Sequence, residues 1–310
     1  MLKLDEKKIR KGKPVGLPYV GSKKKISKKI IEIIKQNFGT DKTVYDVFGG
    51  GGAITAELMI NGIDVVYNDL DKTITDMFNR VLNQDREWIK TLIVSRDEFF
   101  TVRDKENKTV ADELKLLVNS FGNNRKGYLY NKQISDMKYN LAVEILEKED
   151  VLFGYKKTKT YQNYVNIHEQ ELGFCNKEEN GRVLQQLERL ERLEQLERLQ
   201  QLERLQQLKQ LPKTLNEDYK YFSNVKNSIL YLDPPYENTE TGSYKSQIDY
   251  QEFYDWAYEM SKNNIVLLSS YAVSDDRFEC VYEFKTAGST FANGKYGSRC
   301  EKLFMVKESN

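Results

Sequence analysis

The chain has 310 residues, 39% hydrophobic and 31% charged, enough apolar material for one large domain or for a core that carries an insertion. No apolar run approaches the ~18 residues of a membrane span, and the lysine-rich start lacks the apolar stretch of a secretory leader, so a cytoplasmic protein without membrane contact is expected. Cys175, Cys280 and Cys300 stand far apart in no ligand spacing, which excludes a zinc framework, and the lone His168 has no nucleophile motif to serve.

The net charge of +1 is unevenly spread: residues 1–30 hold eleven Lys or Arg against Asp5 and Glu6. Local basic patches of this kind suffice to hold phosphates. Within that region "KKKISKKIIEIIKQNF" places Ile26, Ile30, Ile33, Ile34 and Phe38 at helical spacing and predicts an amphipathic helix. In "KTVYDVFGGGGAITAELMING" a strand pattern meets four glycines and then a helix pattern, and "IDVVYNDLD" offers a second strand with an acid at its end. Strand, glycine loop, helix and strand open a doubly wound α/β sheet, where ligands lie beyond the carboxyl ends of the strands.

The rhythm is lost over 96–212, a polar and aromatic stretch with helical character, and returns with "SILYLDPPY", "NIVLLSSY", "CVYEFKT" and "EKLFMV". The expected organisation is a Rossmann-like core from 1–95 and 213–310 with an inserted, mainly helical region over 96–212. Two loops in the insert mix cations with aromatics and are candidates for nucleic-acid contact: Arg125, Lys126 and Tyr128, then Lys156, Lys157 and Lys159 with Tyr161. Residues 184–211 carry leucine at every third position. A three-residue step advances 300° on a helix, so these leucines form no single heptad seam. Their composition still favours helix, and both an expanded repeat in a loop and a partner-binding arm remain open.

The glycines fit neither common nucleotide motif. A P-loop needs Lys-Ser or Lys-Thr where Ala53 and Ile54 stand, and a dinucleotide fingerprint from Gly49 needs glycine at 54. What remains is Asp46-x-Phe48-x-Gly50-x-Gly52, with Asp69 at the spacing of an acid that reads ribose hydroxyls. In Asp-Pro-Pro-Tyr at 233–236 the prolines stiffen the strand end, so Asp233 and the Pro234 carbonyl become fixed acceptors beside the Tyr236 ring. Two acceptors next to an aromatic face suit an exocyclic amine on a flat heterocycle.

Taken together, "PYVGSKKK" at 18–25, the glycine motif at 46–52, Asn68-Asp69, Asp218-Tyr219 and Asp-Pro-Pro-Tyr at 233–236 resemble, in order and spacing, the Dam-type alpha group of S-adenosylmethionine-dependent DNA adenine-N6 methyltransferases. Ser22 stands where that family has a second glycine. The resemblance implies S-adenosyl-L-methionine as cofactor, with Tyr19, Gly21 and Lys23 at its methionine end and Asp46, Phe48, Gly50 and Gly52 beneath it. Asp69 would take its ribose, Asp218 and Tyr219 its adenine. It also implies catalysis by Asp233, Pro234 and Tyr236 on an adenine flipped out of double-stranded DNA, and it allows a cognate restriction endonuclease as partner. Two rivals stay open from the residues alone: methylation of adenine in RNA, and a catalytically silent assembly protein organised by the leucine repeat.

Overall fold

The structure, a computed structural model, describes residues 1–19, 21–147, 158–163, 166, 193–208, 211–237, 248–284 and 300–307. The chain divides into two compact units, one of Met1–Leu17, Gly21–Leu82 and Leu208–Asn310, the other of Pro18–Val20 and Asn83–Gln207. Among the described residues no helix is long and apolar enough to cross a membrane.

The first unit is built on a sheet of β1 (Val44–Asp46), β2 (Val65–Asn68), β3 (Lys213–Leu215), β4 (Ile229–Leu232), β5 (Ile265–Ser270), β6 (Phe278–Glu283) and β7 (Lys302–Val306). Their order is β3-β2-β1-β4-β5-β7-β6; the first five run parallel, and β7 is antiparallel to both β5 and β6. Helices, among them α3 (Lys72–Leu82), accompany this mixed sheet in a Rossmann-like α/β fold. Strands covered on both faces need continuous apolar runs, and all four residues of β2 and of β4 are buried. In β4, Ile229 and Tyr231 join the core against α1 (Ser27–Phe38) and α2 (Ala53–Ile60), while Leu230 and Leu232 join the core against α9 (Tyr250–Ser261). The helix expected near residue 30 is α1, with Ile30, Ile31, Ile33 and Ile34 fully inside. β3, only three residues long, carries too little pattern to be seen in the sequence.

The described part of the second unit is helical: α4 (Arg86–Lys90), α5 (Arg96–Arg103), α6 (Val110–Asn119), α7 (Ser135–Glu147) and α8 (Glu194–Gln206). Residues 83–95 group here rather than with the sheet, because Val94 packs with Phe99, Val102, Leu116 and Tyr128 in this unit's own core. α8 lies in the leucine repeat and packs into this unit. Leu193, Leu196, Leu199, Leu202 and Leu205 are all buried. Two polar groups fix its register: Gln195 Nε2 donates to Asn119 Oδ1 at 2.5 Å, and Arg198 Nη1 donates to the carbonyls of Val118 at 2.8 Å and Ser120 at 2.6 Å. Arg198 thereby satisfies carbonyls at the open C-terminal end of α6. Residues 184–192 and 209–210 of the repeat, with Lys156, Lys157, His168 and Cys175, lie outside the described residues.

Candidate active site

Strand order reverses between β1 and β4, and both motif loops leave the sheet there, at the carboxyl ends where an open α/β sheet offers its crevice. From β1 the chain passes through Asp46 into the glycine loop and then α2. Asp46 is buried, and its Oδ2 accepts from the Thr55 amide at 3.1 Å and the Thr55 hydroxyl at 2.6 Å. Burial pushes its carboxyl up to about 7, opposed by the Thr55 bonds and helped by Asp233. Its observed role is to tie the strand end to the first turn of α2.

The glycines are demanded by the protein's own rings. A Cβ at Gly49 would lie 2.3 Å from the Tyr67 ring, and one at Gly52, where φ is +68°, would lie 2.1 Å from Phe78. Gly50 is held from both sides: its carbonyl accepts from Tyr67 Oη at 2.6 Å and its amide donates to Asp69 Oδ2 at 2.8 Å. Asp69 Oδ1 also accepts from the Asp71 amide at 2.8 Å, and burial raises the Asp69 carboxyl above its ordinary value. Asn68, fully buried, bridges the Val47 carbonyl and both backbone groups of Glu217. This bridge brings the segment before Asp218 to the ends of β1 and β2. Phe48 then faces Tyr219 at 6.3 Å between ring centroids, and Tyr219 packs edge-on to Phe253 and Trp256. Asp218 is exposed and caps the short helix Tyr219–Asn224 through the Lys220 amide, while Tyr219 is a buried core residue.

At the end of β4 the prolines stiffen the turn of the Asp-Pro-Pro-Tyr motif. The Tyr250 hydroxyl donates to the Pro235 carbonyl. Lys23, from the short turn Lys23–Lys25, reaches this point: its Nζ lies 2.7 Å from Asp233 Oδ1 and donates to Tyr236 Oη at 2.6 Å. The Tyr236 hydroxyl donates to Glu301 Oε1, which also accepts from Ser269 Oγ at 2.8 Å and lies 3.6 Å from Lys23 Nζ. Burial pushes the Asp233 carboxyl up to about 6; Lys23 opposes this and Glu301 adds to it. Burial and the two carboxylates drive the Tyr236 phenol far upward, so it stays protonated and donates. Its ring packs edge-on to Tyr271 with centroids 4.5 Å apart.

Glu301 and Ser269 are the members that sequence reading missed. Glu301 precedes an ordinary strand pattern, "EKLFMV", and no spacing marks it. Lys23, expected at the cofactor, contacts Asp233 and Tyr236 of the Asp-Pro-Pro-Tyr turn. Gly21 lies in this unit with φ +74°, and Tyr19 groups with the second unit. Among the described residues, the buried Ser22 Oγ between Gly21 and Lys23 has no hydrogen-bond partner, an orphaned donor that a bound polar group could satisfy.

In the second unit, Ser120 and Tyr128 pair across a hairpin whose tip carries Arg125 and Lys126. Arg125 Nη1 pairs with Glu113 at 2.8 Å and Lys126 is exposed. Tyr128, expected to face DNA, is instead 6% exposed, its hydroxyl donating to the Val94 carbonyl and its ring edge-on to Phe99. Phe121, at the same tip, is 68% exposed. Lys159 is exposed and Tyr161 half-buried.

A glycine loop after β1, an acid after β2 and an Asp-Pro-Pro-Tyr turn after β4 define an α/β methyltransferase that acts on an amine. A family model for D12 class N6 adenine-specific DNA methyltransferases matches residues 19–286, and the chain belongs to that family. A search of the curated proteins gives no match.

Proposed function

We propose that this enzyme transfers a methyl group from S-adenosyl-L-methionine to N6 of an adenine drawn out of duplex DNA. The observation that carries the reading is the proline-stiffened end of β4, with the Asp233 carboxylate beside a Pro234 carbonyl and the Pro235 carbonyl already engaged by Tyr250. The residues around the glycine loop suit the cofactor: Asp69 for the ribose hydroxyls, Phe48 with Asp218 for the adenine, and the orphaned Ser22 hydroxyl beside Lys23 toward the methionine end. When bound, S-adenosylmethionine supplies an electrophilic methyl group on a positively charged sulfur.

The chain's own part is to make a poor nucleophile attack. The lone pair of an adenine amino group is delocalised into the ring. Asp233 and the Pro234 carbonyl each accept one N6 hydrogen, which lets the nitrogen pyramidalise and aim its lone pair along the line of displacement. A carboxylate has acceptor sites on two oxygens, so the Lys23 bond to Oδ1 leaves Asp233 able to accept from N6. Unstacking the base costs a few kcal/mol, and the Tyr236 ring offers it an aromatic face in return.

DNA contact is assigned to the second unit. Phe121 projects from a hairpin tip where Gly122, Asn123 and Arg125 all have positive φ, next to the exposed Lys126. An apolar ring flanked by cations suits insertion at a base step with phosphate contacts around it. The test of the site is Asp233→Ala, assayed for methyl transfer and separately for S-adenosylmethionine binding by calorimetry. Transfer is expected to vanish with binding largely kept; substantial residual turnover would contradict the assigned role.

A further inference from the structure

We propose that Glu301 is a positioning residue of the transfer site, one that orients Tyr236 and offsets the charge of Lys23 so that the pocket around Asp233 stays net negative. The inference rests on the reading of Asp233 as the N6 acceptor. Its basis is the geometry of one buried cluster: Glu301 Oε1 accepts from the Tyr236 hydroxyl and from Ser269 Oγ, and lies 3.6 Å from the same Lys23 ammonium that contacts Asp233 Oδ1 at 2.7 Å. The side chains of Lys23 and Glu301 are 9% and 6% exposed, so solvent screens their charges poorly.

Charge counting gives the reason for a second acid. Lys23 and Asp233 alone would be a neutral pair and would offer nothing to positive charge. Methyl transfer to an amine moves a positive charge from sulfur to N6 inside this pocket. Among the described residues two carboxylates face one ammonium, a net negative charge that stabilises the positive charge developing on N6 beside Asp233 more than the charge already on the cofactor's sulfur. Glu301 also fixes direction: by accepting from Tyr236 it sets the phenol as donor, so Lys23 meets the lone pairs of that oxygen. Among the described residues, the groups that act electrostatically on this cluster include Lys23, Asp233, Tyr231, Tyr236 and, through Asp233, Asp46. Nothing in the Asp-Pro-Pro-Tyr motif requires Glu301, which comes from the residue before β7 at the far end of the chain.

The decisive variant is Glu301→Gln in the full chain, which keeps an acceptor for Tyr236 and Ser269 and removes only the charge. Single-turnover methyl transfer is expected to fall about 10- to 100-fold, with DNA and cofactor affinities within about threefold. A structural role alone would not move a titration. Glu301 raises the Asp233 carboxyl, so Glu301→Gln is expected to shift Asp233 titration, followed by carboxyl NMR without cofactor or DNA, below about 6. An unchanged rate together with an unmoved titration overturns the proposal. If Glu301→Gln fails to fold, Ser269→Ala removes one bond to Glu301, and a smaller loss of rate is expected; a wild-type rate there overturns it. Asp233→Ala, which removes the acceptor altogether, run alongside separates the two ideas: full activity in that variant defeats the acceptor reading, whereas its loss beside an unaffected Glu301→Gln defeats only the role of Glu301.

Discussion

Lys23 and Asp233, drawn from opposite ends of the chain, meet at 2.7 Å beside the end of β4. The pair joins the first motif to the last and is expected to set the acid limb of activity. In the proposed mechanism Asp233 accepts an N6 hydrogen as the carboxylate, and burial pushes that carboxyl up to about 6. Below that pH, kcat/KM is expected to fall about tenfold per pH unit. Lys23→Met removes the cation that lowers this value, so the limb should move to higher pH; a rate profile across pH 5 to 9 reads both.

Asp46 gives a pH effect on stability with a definite sign. Its carboxyl is raised by burial from an ordinary 3.8 to about 7, so the folded protein favours the protonated form. The stability this contributes is complete below about pH 4 and is lost as pH rises through 7. At 1.36 kcal/mol per pKa unit the full swing is on the order of 4 kcal/mol. Asp46→Asn keeps an acceptor for Thr55 but cannot ionise. Urea melts from pH 4 to 8 should be flatter for the variant than for the parent; equal slopes would contradict the account.

Gly52→Ala should destabilise the first unit by about 2–4 kcal/mol, because a methyl group meets the Phe78 ring at 2.1 Å on a backbone with φ +68°. Chemical denaturation measures it directly, and a change under about 0.5 kcal/mol would mean that the loop relaxes freely.

The tip residue Phe121 can be separated from folding. Its ring is 68% exposed, so Phe121→Ala should leave the melting temperature unchanged. Affinity for duplex DNA should fall by roughly 10- to 100-fold, the worth of one stacked base, as read by fluorescence anisotropy. Tyr128→Ala should do the reverse and cost stability, since that ring fills the core of the second unit.

The parts of the site that lie on local punctuation were legible in the sequence. Glycines after β1, an acid after β2 and prolines after β4 each break a strand pattern, and each break turned out to sit at a carboxyl end of the sheet. Glu301 was not legible because it stands just before β7, and only sheet order brings β7 beside β5 and its Ser269. Tyr128 misled for a related reason: its neighbours Arg125 and Lys126 are polar, but the hairpin turns its ring inward. In the leucine repeat, a period of three spreads the leucines round a helix rather than along one seam. It did not reveal that α8 buries its leucines round much of its circumference and is pinned by Arg198 to α6.

The central claim is tested most directly by incubating the protein with duplex DNA of mixed sequence and S-adenosylmethionine labelled in its methyl group, then digesting to nucleosides. The account expects label in N6-methyladenine, absent with Asp233→Ala. Label in another nucleoside, in transcripts offered alongside but not in DNA, or in no product while the cofactor binds, would contradict it.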